Sequence, residues 1–100
     1  MLGDLENTIS EINRLNQECI ANYATITKDI NVLQHWMSQL QGAEGELEQD
    51  IEKCRSNEQE ITPEINAAIQ EACKTTQKTQ MRLATELRLL KMKQAKQQWI

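Results

Sequence analysis

The chain is 100 residues long, 39% hydrophobic and 26% charged, but only 3% aromatic, with no phenylalanine. So few aromatics exclude an ordinary α/β or all-β core, and one proline with three glycines among abundant Gln, Glu, Lys, Leu and Ile points to long helices in one domain. The net charge of −4 hides a split: residues 1–73 carry fourteen acids and four bases, a net of −10, whereas residues 74–100 carry seven bases against Glu86, a net of +6.

The first predicted element is a long helix over about 3–55. Stepping by seven from Leu5 gives Leu5, Ile12, Cys19, Ile26, Leu33, Leu40, Leu47, Cys54, Ile61 and Ala68, all apolar. Such a run arises by chance roughly once in ten thousand registers at this composition. With these as d, the a positions are Leu2, Ile9, Asn16, Tyr23, Ile30, Met37, Glu44, Ile51, Glu58 and Ile65. A 3.5-residue repeat places a and d on one narrow stripe, which needs a covering helix from this chain or another. Leu15 and Trp36 at g, Ile20 at e and Val32 at c widen the stripe beyond a two-helix seam. The segment 12–40 is therefore expected to meet more than one helix.

Within the stripe, Asn16 either fixes register as a buried polar residue or marks a hydrated stretch. Cys19 and Cys54 read as small apolar seam residues rather than as cross-linking thiols. Three widely spaced cysteines match no zinc or Cys-x-x-Cys pattern and suit a reducing, intracellular and cytoplasmic setting. His35 falls at f as a solvated side chain.

Two places challenge a continuous rod. Gly42 and Gly45 lie on outward positions with the heptad phase intact across them, which favours a bend at 42–45 over a reversal. At 56–62 the signal is stronger. Thr62-Pro63-Glu64 has the order of a helix start, with threonine capping, proline in the first turn and an acid next to it. Beyond Pro63 the frame also shifts by four, to Ile65, Ile69, Ala72, Thr76, Thr79, Leu83 and Leu90, with Leu87 alongside. The main break is placed at 56–62, followed by a second helix over about 63–98.

The expected fold class is therefore all-α: an elongated coiled coil forming an antiparallel helical hairpin or part of a multi-helix bundle. A three-helix arrangement broken at both 42–45 and 56–62 competes. The interaction seam comprises Leu5, Ile9, Ile12, Asn16, Ile26, Ile30, Leu33, Trp36, Met37, Leu40, Leu47, Ile51, Ile61, Ile65, Ile69, Leu83, Leu87 and Leu90.

The C-terminal helix carries a basic patch of Lys74, Lys78, Arg82, Arg88, Lys91, Lys93 and Lys96, and Leu87–Lys93 is a short basic amphipathic segment with Trp99 beyond it. Docking of one copy's basic tail on another's acidic middle is one use; solvated faces with cations near a helix C-terminus are the plainer one.

No nucleophile elbow, phosphate loop, metal cluster or cofactor motif is present, and no apolar run is long enough to cross a membrane. No apolar block of signal-peptide kind opens the sequence. The leading expectation is a non-catalytic structural or scaffolding subunit joined to itself or other coiled-coil proteins, as in cytoskeletal, division or tethering assemblies. No small-molecule substrate and no cofactor are implied, and neither membrane nor nucleic acid is a favoured partner. The alternative is an adaptor whose basic C-terminal helix binds an anionic surface, whether cytoskeletal polymer, membrane or nucleic acid.

Overall fold

The computed structural model describes residues 2–98. It is all-α, with α1 (Leu2–Ala21), the single-turn α2 (Tyr23–Ile26), α3 (Ile30–Ser56) and α4 (Pro63–Gln98). The three long helices pack pairwise around one core, in a body of 61 × 24 × 16 Å.

Cross-helix contacts fix the directions. The Thr8 hydroxyl meets Asp50 Oδ2, while Leu15 shares a groove with Gly42 and Ala43, so α1 and α3 run antiparallel. Met37 and Gln41 line one groove with Gln77 and Met81, and Ile30 and Asn31 line another with Leu90 and Lys93, so α4 is antiparallel to α3. Asn16 bonds Thr76, and Tyr23 reaches Glu86, so α4 is parallel to α1. The path is up, down, up.

The expected unbroken helix over 3–55 is corrected: the chain reverses at 22–29. Asn22 donates its side-chain Nδ2 to the Glu18 carbonyl at 2.9 Å, closing α1. The Thr27 hydroxyl does the same to Tyr23 at 2.9 Å, ending α2. Asp29 is extended (φ −131°, ψ 124°), and its Oδ1 accepts the backbone N–H groups of Asn31 and Val32 at 2.8 and 3.3 Å to start α3. Short polar side chains thus take over the backbone bonds that a continuing helix would use. The reversal lets the stripe of α1 cover that of α3. Ile26, 1% exposed, plugs the end of the core from within the connection.

At the glycines the opposite holds. α3 runs through Gly42 and Gly45 without interruption, so no chain break stands at 42–45. A Cβ at either position would meet nothing within 4 Å.

The second break stands where the frame shift and Thr62-Pro63 place it. α3 ends with Gln59 N–H bonding the Cys54 carbonyl at 2.9 Å and Glu58 N–H bonding Arg55 at 3.2 Å, a Schellman closure. Glu58 carries the left-handed turn residue at φ 54°, the only positive-φ non-glycine among the described residues. Asn57 adds a side-chain bond to the Lys53 carbonyl at 2.8 Å. Thr62 Oγ1 then accepts Ile65 N–H at 3.2 Å, and α4 begins at Pro63.

The d stripe is the core. Leu5, Ile12, Cys19, Ile26, Leu33, Leu40, Leu47 and Cys54 are each at most 1% exposed. A fully buried Leu or Ile contributes roughly 1.5–3 kcal/mol by leaving water. Beyond Pro63 the shifted frame faces inward: Ile69, Ala72, Thr76, Thr79 and Leu83 are buried, while Ile65, Leu87 and Leu90 are half-buried. The old frame would have buried Arg82, which is exposed. The core is thin along α4, where two threonines and an alanine occupy successive layers. Thr79 returns its hydroxyl to the Thr75 carbonyl at 3.0 Å.

Candidate interaction surface

Every seam residue named from the sequence is buried or half-buried, and all the apolar ones except Ile30 belong to or pack against one core formed by helices of this same chain. The stripe's breadth has a partly different cause from the one expected. Leu15 is buried and Trp36 half-buried, but Ile20 and Val32 are 60% and 40% exposed, outside the core. The seam's demand for a covering helix is thus met internally, and surfaces for partners must be sought on the outer faces.

Asn16 is buried at 2% exposure. Its Nδ2 donates to Thr76 Oγ1 and to the Ile12 carbonyl, both at 2.9 Å, and its Oδ1 is buried without a partner. This residue locks α1 to α4 rather than marking a hydrated stretch. Glu44 is half-buried with Oε1 unpartnered, whereas Glu58 sits in the turn outside the bundle.

Cys19 and Cys54 are fully buried and Cys73 half-buried, all as free thiols. Burial pushes the Cys19 thiol above its ordinary range; burial, followed by the nearby charges of Glu44 and Glu48, does so for Cys73. Burial and then the Glu86 carboxylate likewise raise the Tyr23 phenol. His35 is exposed beside Arg14, Glu18 and Trp36. Arg14 pairs with Glu11 and with Glu18, the latter at 2.6 Å, an exposed cluster that holds the arginine cationic.

All seven bases of the patch are exposed: Lys74, Lys78, Arg82, Arg88, Lys91, Lys93 and Lys96. Among the described residues none of them makes an ion pair. Lys74, Lys78, Met81, Thr85, Arg88, Met92 and Lys96 recur at three- and four-residue intervals on the side of α4 opposite Thr76, Thr79 and Leu83. Met81, Leu89 and Met92 are 71%, 47% and 54% exposed there, apolar side chains set among cations. Trp99 lies outside the described residues.

Met81 was not picked out by the sequence reading, because it is exposed in both heptad frames. Stepping along α4 from Lys74 by threes and fours would have found it.

The fold also sorts charge along its length. The acidic half of α3, the 57–62 turn and the start of α4 share one end, while the last half of α4 lies at the other, beside the 22–29 connection. The molecule is electrically polarised end to end.

A surface cleft of about 540 Å³ lies at this basic end between Lys28–Asn31 and Leu90, Lys93, Gln94 and Gln97. It is open and holds no nucleophile paired with a base. Among the described residues no three His, Cys, Asp or Glu side chains are placed to hold a metal ion, and no helix is long and apolar enough to cross a membrane. No family model, curated protein or solved structure matches this chain.

Proposed function

We propose that this chain is a non-catalytic scaffolding subunit, a helical bundle that closes its own seam and joins other proteins, or copies of itself, through its outer faces. The observation that carries this reading is the exposed face of α4, where Met81, Leu89 and Met92 stand among unpaired lysines and arginines. Exposed apolar groups that form a contiguous patch rimmed by polar residues mark interaction sites. The charge polarity supports pairing of one copy's basic end with another's acidic end, since opposed potentials align partners and fix register. Free, unpaired cysteines suit a reducing cytoplasm.

Light scattering at low and high salt tests the reading. At high protein concentration and low salt the mass should exceed the 11.5 kDa of one chain, and it should fall toward that value as salt screens the contact. Reversal of charge at Lys78, Arg82 and Arg88 should abolish the larger species while leaving the helical melt unchanged. Truncation at residue 74 would not serve, because it removes the buried Thr76, Thr79 and Leu83.

The same basic face supports a second reading, an adaptor for an anionic surface. A chain that stays monomeric at both salts and cosediments with anionic vesicles or polymer, in a manner lost on the same charge reversal, would replace the first reading with the second.

A further inference from the structure

The groove between α3 and α4 has the form of a helix seat. On α4, Lys74, Gln77, Met81, Ala84, Arg88 and Lys91 follow one another at alternating three- and four-residue steps; on α3, Gln34, Met37, Gln41 and Glu44 do the same. Met37, Gln41, Gln77, Gln80, Met81 and Ala84 line the groove together. Two parallel ridges with heptad spacing are what a further helix requires if its knobs are to drop between them.

The lining is methionine over a rim of amides. Unbranched thioether side chains repack around an incoming apolar residue, which suits them to helix-binding surfaces. Gln80 contributes a buried Nε2 donor with no acceptor among the described residues. Such a donor is costly to leave unmet.

Charge selects the occupant. Past Ala84 the same face of α4 carries Arg88 and Lys91, while Glu44 stands at the far end of the α3 ridge; Glu86, the one acid of residues 74–98, is half-buried and accepts from Tyr23 on the other side of α4. A second copy is a poor occupant, because the apolar stripes of its long helices are already turned into its own core.

We propose that the α3/α4 groove binds an amphipathic helix of another protein, its apolar stripe over Met37 and Met81 and its carboxylates over Arg88 and Lys91, so completing a four-helix bundle. The inference rests on the scaffolding reading and names the partner's chemistry.

The test uses the full chain and two blocked three-heptad peptides, both with leucine at a and d, one with glutamate at e and g and the other with lysine. Fluorescence anisotropy gives affinity, and methionine-methyl NMR gives location. The acidic peptide should bind at least tenfold more tightly than its twin, shift the Met37 and Met81 methyls, and lose tenfold or more on Met81→Lys or on Arg88→Glu with Lys91→Glu. Both sites are exposed, so thermal melts should confirm that the variants remain folded. Absence of binding, equal affinity for the two peptides, or shifts confined to Met92 would overturn the groove proposal. If peptide binding fails while salt-sensitive self-association persists, the inference falls and the scaffolding reading stands. If it fails while the chain binds phosphatidylserine vesicles through Arg88 and Lys91, both fall.

Discussion

Asn16 and Glu58 show how single residues set this fold. Asn16→Ala would strand the buried Thr76 hydroxyl and open a space, at a cost of about 1–3 kcal/mol. Asn16→Leu combined with Thr76→Val removes both partners and should restore most of that loss, because an apolar pair leaves nothing unsatisfied. Thermal melts of the single and double variants check this; a neutral single variant would contradict the buried bond. Glu58 holds φ 54° without glycine's freedom, so Glu58→Gly should stabilise by about 1 kcal/mol in urea denaturation. The thiols carry a pH signature. Cys19 and Cys73 are raised by burial, so the unfolded chain loses those protons first as pH climbs past the ordinary thiol range. Their contribution is fully present below that range and declines above it, which denaturation between neutral and strongly alkaline pH would register as falling stability.

At the scale of elements, what the sequence discloses depends on whether two signals coincide. At Pro63 a capping pattern and a frame shift agree, and α4 starts there. At 22–29 only the caps speak, because the step of seven from Cys19 through Ile26 to Leu33 stays apolar across the reversal. Ile26 keeps the phase because it plugs the core from the connecting turn, so periodicity reported burial correctly and continuity wrongly. The caps are testable: Asp29→Ala removes the acceptor for two N–H groups and should cost about 1 kcal/mol in thermal or urea melts. At the glycines the intact phase argues against a reversal, and α3 runs through both without a break. Gly42→Ala and Gly45→Ala should each stabilise by roughly 0.8–1 kcal/mol, as the added Cβ meets open space and glycine's excess freedom in the unfolded chain is removed. A loss of stability on either would mean that α3 does not run straight through this stretch.

For the whole molecule, the heptads establish that a stripe must be covered but not by what, so helix number and direction were not legible. They depend on where the chain reverses, and the 22–29 reversal converts a seam that asks for partners into a core that needs none. The basic patch was legible as composition. That four of its bases, Lys74, Lys78, Arg88 and Lys96, share one outer face of α4 with Met81 required the three-dimensional arrangement. The central claim is therefore that α1 folds back on α3 and that the chain covers its own seam. Spin labels placed by unnatural amino acids at the exposed positions Ser10 and Gln49, with all three cysteines left in place, test it by pulsed electron–electron distance measurement. Antiparallel packing sets these positions on neighbouring helices with axes roughly 8–10 Å apart, so the distance distribution should be short and unchanged on dilution. A distribution centred near 58 Å, the rise of a continuous helix across that interval at about 1.5 Å per residue, would contradict the account.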